Sequence, residues 1–249
     1  MASLLPVPKN EAHLWYVLQD RIGDADLLAS YADLLSGEEH ERHQRLRFAK
    51  DRHEYLVTRA LARWTLSRHF DVDPGAWIFR EGEHGKPSIA APECGQTIHF
   101  NLSNTAGLVV CFVSGDCEVG VDAEDARREV EVLDLARRFF APSEFRELET
   151  LPPERQSDRF FQYWTLKEAF LKAQGVGLSA PLSEFGFFFN EGGTPKIQFT
   201  GHRWGDPMHW QFKELRPTPN HRVATALYAE TQRLPIHSHE VVPLVGEVS

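Results

Sequence analysis

The segment 158–174 constrains this chain more than any other. Apolar side chains, among them Phe161, Trp164, Leu166, Ala169 and Phe170, lie on several faces of a 3.6-residue period, which predicts a helix with little surface left for water. Ser157 or Asp158 can cap its start, the polar run 152–156 reads as the loop before it, and Gly175 supplies a natural stop. Within it Glu168 and Lys172 are four apart and so adjacent on the helix surface, with Phe161 and Trp164 on the same side. A carboxylate and an ammonium in such surroundings must be paired or bound to something. An internal ion pair of about 0.2–0.5 kcal/mol accounts for them as well as a functional site does, on this segment alone.

Upstream, residues 39–70 read as a helix through Leu46, Tyr55, Leu56, Ala60, Leu61 and Trp64, and 71–75 end it. Strands are expected at 77–79, 98–102, 108–113 and 118–124, with a turn-rich loop at 81–87. In 118–124, Val119, Val121 and Ala123 alternate with Gly120, Asp122 and Glu124. Asp122 and Glu124 therefore project from one face with Cα atoms about 7 Å apart, at about 3.3 Å rise per residue. Two anions so placed want a cation, although an exposed strand end with ordinary acids is the commoner case. Helices follow at 132–140 and from Ala141, and after Pro181 come strands near 185–189, 196–200, 210–214 and 223–228. The last twenty or so residues carry no firm pattern. The fold class expected is α+β, two similar halves with antiparallel sheets, divided as 1–115 and 116–249.

The bulk properties exclude several classes. A formal net charge of −9 is the wrong sign for a protein that grips nucleic acid through many phosphates. Neither a secretory leader nor an apolar span of about 20 residues is present, so a cytoplasmic protein without a membrane anchor is expected. Cys94, Cys111 and Cys117 form no CxxC pair and read as reduced thiols. His237, His239, His40, His43 and His53 lack a third ligand at sensible spacing and read as surface histidines. Gly175 and Gly177 follow a helix instead of preceding one, so helix termination explains them better than a phosphate loop.

Gly120-Val121-Asp122-Ala123-Glu124, followed about forty residues later by Trp164-Thr165-Leu166-Lys167-Glu168-Ala169-Phe170-Leu171-Lys172, closely resembles the two signature motifs of the Sfp-type phosphopantetheinyl transferases. Gly85-Lys86-Pro87, Phe100-Asn101-Leu102-Ser103 and Phe48-Ala49-Lys50-Asp51 resemble further segments of that family in the proper order, so the likeness spans about 45–190. It implies pseudo-twofold halves with coenzyme A in the cleft between them. It implies Mg2+ held by Asp122, Glu124 and Glu168 on the coenzyme A pyrophosphate, as suits a hard cation that prefers oxygen ligands. The implied reaction is Mg-dependent transfer of phosphopantetheine from coenzyme A to a serine of an acyl- or peptidyl-carrier protein. Glu168, directly or through a metal-bound water, is expected as the base and Lys172 as the cation facing the transferring phosphate. Lys50, Lys86, Ser103 and Asn104 are expected at the nucleotide end, the lysines on its 3′-phosphate. Asn104 stands where many relatives carry His, so a histidine-dependent pH response does not transfer to this chain. A monomer is expected. The rival readings are a metal-dependent phosphotransferase acting on a small nucleotide and a non-catalytic coenzyme A-binding module.

Overall fold

The computed structural model describes residues 4–82, 85–177, 180–201 and 203–248; Glu83 and His84 of the expected 81–87 loop lie outside these. The chain divides into two compact units, residues 1–116 with 235–249, and residues 117–234. Each combines helices with mostly antiparallel strands, which is the α+β class expected.

The first unit contains α1 (Ala25–Asp33), α2 (Gly37–Arg45), α3 (Ala49–Ser67), β1 (Ala12–Leu18), β2 (Ile78–Glu81), β3 (Pro87–Ala91), β4 (His99–Thr105) and β5 (Leu108–Ser114). From the C-terminus it also takes β11 (Ile236–Val242) and β12 (Gly246–Glu247). Its sheet runs β12-β11-β1-β5-β4. The unbroken apolar run of β5 is buried along its whole length, and α3 packs on that strand with Val57, Ala60 and Leu61 in the core. Trp15 of β1 is fully buried in the same cluster.

Two expectations for this unit need correction. The single helix of 39–70 is two helices, because Leu46 (φ −67°, ψ 122°) and Phe48 (φ −96°, ψ 140°) are extended. Ser36 and Glu39 close a capping box that fixes the start of α2, and Arg52 Nη1 donates to Leu46 O at 2.8 Å and Arg47 O at 3.2 Å across the break. No Gly or Pro marks the break. The second correction concerns 235–249, expected in the C-terminal half. Strand β11 instead lies parallel to β1, with Ala12 opposite Ile236 and Tyr16 opposite Glu240.

The second unit contains β6 (Val119–Asp125), α4 (Val132–Phe139), α5 (Pro142–Thr150), α6 (Pro153–Gln174), β7 (Phe185–Phe189), β8 (Pro195–Phe199), β9 (Trp210–Leu215) and β10 (His221–Tyr228). Its sheet runs β6-β10-β9, and α6 lies against β6 and β10. Phe170 of α6 packs among Phe185, Phe199, Trp204 and Trp210. Helix α6 starts at Pro153, earlier than expected, since proline is well suited to a first helical position. Ser157 and Asp158 are inside it and do not cap it. Asp158 instead accepts hydrogen bonds from Arg216 and from Arg222 of β10. The helix ends at Gln174, with Gly175 left-handed at φ 70°, a conformation only glycine takes without strain.

Candidate active site

The site of the second unit begins with a glycine. A Cβ placed on Gly120 would sit 2.0 Å from the Ala169 carbonyl oxygen and 2.3 Å from the Ala173 nitrogen, so α6 lies directly on the backbone of β6. Residues 119–123 of β6 are consequently buried on both faces. The alternation in the sequence had left the face of Gly120, Asp122 and Glu124 open to solvent, and the helix closes it.

Across that contact the Lys172 ammonium donates to Asp122 Oδ1 at 2.8 Å. One turn back along α6 is Glu168, whose Oε1 is buried without a hydrogen-bond partner among the described residues. Burial, reinforced by the negative charges of Asp122 and Glu124 and opposed by Lys172, pushes its pKa up to about 7. Glu124, at the end of β6, accepts a hydrogen bond from Arg128 Nη1 at 2.7 Å. Burial first and Asp122 second raise its pKa, while Arg128 and Lys172 hold it down. Asp122, Glu124, Glu168 and Lys172 thus form one electrostatic group.

These residues fit a hard divalent cation in their chemistry: three carboxylates, one with a buried oxygen that has no hydrogen-bond partner among the described residues. Among the described residues, no set of three or more His, Cys, Asp or Glu side chains is already gathered in metal-holding geometry. Two of the three carboxylates are instead drawn to cations of the protein itself.

The sequence did not single out Lys167. It is fully buried, and its ammonium donates to Leu182 O at 2.8 Å and Phe185 O at 2.7 Å while lying 2.8 Å from Glu144 Oε2. Glu144 in turn accepts from the Ala141 nitrogen at 2.9 Å and the Phe187 nitrogen at 2.8 Å. This buried hub ties α6 to the start of α5 and to β7. The available signal was the Lys167-Glu168 adjacency: neighbours on a helix point about 100° apart, so the two cannot serve the same partner.

Lys50, Lys86, Ser103 and Asn104 belong to the first unit. Lys50 is exposed in the first turn of α3, Lys86 precedes β3 in the turn that joins it to β2, and Ser103 is buried in β4. The exposed Asn104 donates from Nδ2 to Glu54 Oε1 of α3 at 2.6 Å. An anion reaching the second hydrogen of that amide would come close to the Glu54 carboxylate.

The histidines near the C-terminus are not isolated. His237 lies opposite His13 in the β1–β11 ladder, His13 Nδ1 is 3.0 Å from His239 Nε2, and Glu11 lies 3.3 Å from His13 and 3.4 Å from His237. Strand pairing between distant segments assembled what sequence spacing could not. Cys94, Cys111 and Cys117 are free thiols.

Comparison with known proteins adds a family context. Residues 118–227 match the model of the 4′-phosphopantetheinyl transferase superfamily, and residues 24–115 match a 4′-phosphopantetheinyl transferase N-terminal model. The chain is 33% identical over 229 residues to the 4′-phosphopantetheinyl transferase HetI of Nostoc sp., covering 90% of this chain and 92% of that one. It is 31% identical over 168 residues to the 4′-phosphopantetheinyl transferase Sfp of Bacillus subtilis, covering 68% and 72%. Among solved structures, the holo-[acyl-carrier-protein] synthase of Thermotoga maritima is a distant likeness, with TM-score 0.39, 23% identity, and coverage of 46% of this chain and 64% of that one. Both signature motifs, on β6 and on α6, fall inside the superfamily match.

Proposed function

The chain belongs to the 4′-phosphopantetheinyl transferase superfamily, and on that premise we propose that it transfers the phosphopantetheine group of coenzyme A to a serine hydroxyl of an acyl- or peptidyl-carrier protein. The observation that carries the reading is the docking of α6 on β6 at Gly120, which sets Glu168 and Lys172 beside Asp122. In the reaction the serine oxygen forms a bond to the phosphorus bearing the pantetheine arm, the bond from that phosphorus to the leaving oxygen breaks, and adenosine 3′,5′-bisphosphate departs. The protein supplies no nucleophile.

Glu168 is the proposed base for the serine proton. Without a cation, burial and the charge of Asp122 push its pKa up to about 7; a divalent cation at the site would lower it. Lys172 is the proposed cation facing the transferring phosphate, able to leave Asp122 for it. Mg2+ would be held by Asp122, Glu124 and Glu168 and would offset charge on the pyrophosphate. Lys50, Lys86, Ser103 and Asn104 are proposed at the nucleotide end, with the lysines on the 3′-phosphate. Asn104 would offer the ligand its second amide hydrogen or turn to it from Glu54. The enzyme is proposed to act as a cytoplasmic monomer; no described helix is long and apolar enough to cross a membrane.

Intact-protein mass spectrometry of apo carrier proteins incubated with the enzyme, coenzyme A and Mg2+ tests the reading. A mass gain of one phosphopantetheine group, lost when the carrier serine is replaced by alanine, is expected. No gain on any of several acyl and peptidyl carriers would overturn it.

A further inference from the structure

Glu124 and Asp122 are each held by a cation of the protein. Lys172, which holds Asp122, belongs to the proposed machinery. Arg128, which holds Glu124, has no such role. It lies four residues beyond Glu124 in the turn after β6, its side chain is 55% exposed, and among the described residues its tie to the carboxylates is the 2.7 Å bond from Nη1 to Glu124 Oε2. The other arginine near Glu124 is committed elsewhere. Arg222 lies directly across the β6–β10 ladder from Glu124, but its guanidinium is taken by Asp158, with Glu214 at 3.6 Å. Arg128 also has somewhere to go, because it lines an open cleft of about 620 Å³ formed by the segment 126–131 and Ser157.

Resting on the proposed metal assignment, we infer that Arg128 is a positioning residue that competes with the divalent cation for Glu124 and so sets the cation concentration at which the site fills. A metal ion approaching Glu124 meets the Arg128 charge 2.7 Å from Oε2, and whether it displaces that bond or takes the other carboxylate oxygen beside it, the repulsion and the competition for the carboxylate subtract from metal affinity. Exposed ion pairs are worth roughly 0.2–1 kcal/mol, which corresponds to an affinity effect of up to about fivefold. Glu124 is only 13% exposed, which places this pair toward the upper end of that range. The competition is electrostatic, so salt weakens it.

The test is calorimetric titration of Mg2+ into the full-length wild type, Arg128→Gln, Arg128→Lys and Asp122→Asn, each alone and with coenzyme A bound, at low and high salt. Arg128→Gln is expected to bind Mg2+ about two- to fivefold more tightly than wild type at low salt, with the gap narrowing at high salt. Arg128→Lys, which keeps the charge, is expected to stay near wild type. Unchanged or weaker binding by Arg128→Gln, or a gap indifferent to salt, overturns the inference. If Asp122→Asn loses Mg2+ affinity in that same experiment, the metal assignment stands and only the role of Arg128 falls. If Asp122→Asn binds as the wild type does, the metal assignment itself fails and takes the inference with it.

Discussion

At the scale of single residues, Glu168 holds an unfavourable position that function would explain. It is a carboxylate in the field of two others, with one buried oxygen lacking a partner among the described residues, and burial pushes its pKa up to about 7. Asp122→Ala and Glu168→Gln are each expected to slow transfer by about 10²- to 10³-fold, the usual effect of losing one preorganised electrostatic group. Their circular dichroism should match the wild type. Near-normal turnover of either variant in limiting Mg2+ would remove it from the proposed site. A second residue, His69, makes a pH prediction independent of the reaction. Burial depresses its pKa to about 4, and its Nε2 is buried with no hydrogen-bond partner among the described residues, while Nδ1 meets Pro6 O at 2.8 Å. Below pH 6.5 the unfolded chain gains a proton here that the folded one refuses. The stability this histidine contributes is therefore complete above about pH 6.5 and falls as pH drops toward 4. At pH 5 the loss is on the order of 2 kcal/mol. Denaturant unfolding at pH 7.5 and pH 5 should show that much less acid destabilisation in His69→Gln than in wild type; equal slopes would place the effect in other groups.

At the scale of elements, the approach of α6 to β6 decides whether the site exists. Adding a methyl group at Gly120 meets backbone atoms of α6 and no flexible side chain, so the helix must move away from the strand. Gly120→Ala is expected to cost about 1–3 kcal/mol or more. Because the displaced helix carries Glu168 and Lys172, transfer should fall along with the unfolding midpoint. A wild-type midpoint with wild-type activity would contradict the close packing. Much at this scale was legible in the sequence. The strands β4 to β10 follow its apolar runs to within a few residues, since each run is short and bounded by turn residues. The start of α6 was misplaced because Pro153 can open a helix while Ser157 and Asp158 looked like better caps. The α2–α3 break carries no sequence signal at all, being stabilised by an arginine five and six residues downstream of the carbonyls it caps.

At the scale of the whole chain, β11 links the C-terminus to the first unit. Val241 is buried in that core, Ile236 is 9% exposed, and Tyr31 of α1 donates its hydroxyl to Pro243 O at 3.0 Å. A chain truncated after Leu234 leaves one edge of β1 unpaired and strips two buried aliphatic side chains from the core, at about 1.5–3 kcal/mol each. That is a large part of a typical net stability of about 5–15 kcal/mol. The truncated protein is expected to melt well below the full chain or to accumulate as insoluble material; an unchanged midpoint would show β11 to be dispensable. Local pattern thus determined the class of the fold, the second-unit strands and the end of α6, because periodicity and turn chemistry act over a few neighbouring residues, while Asp122, Glu124, Glu168 and Lys172 were singled out together by the resemblance of their two motifs to those of the family. Only the tertiary structure decided that α6 buries the carboxylate face of β6, that Lys172 meets Asp122, that Lys167 turns inward to Glu144, that Arg128 holds Glu124, and that the C-terminal strand returns to β1. Each is a pairing between side chains or strands whose partner is fixed by packing in space, and a spacing along the chain does not encode it.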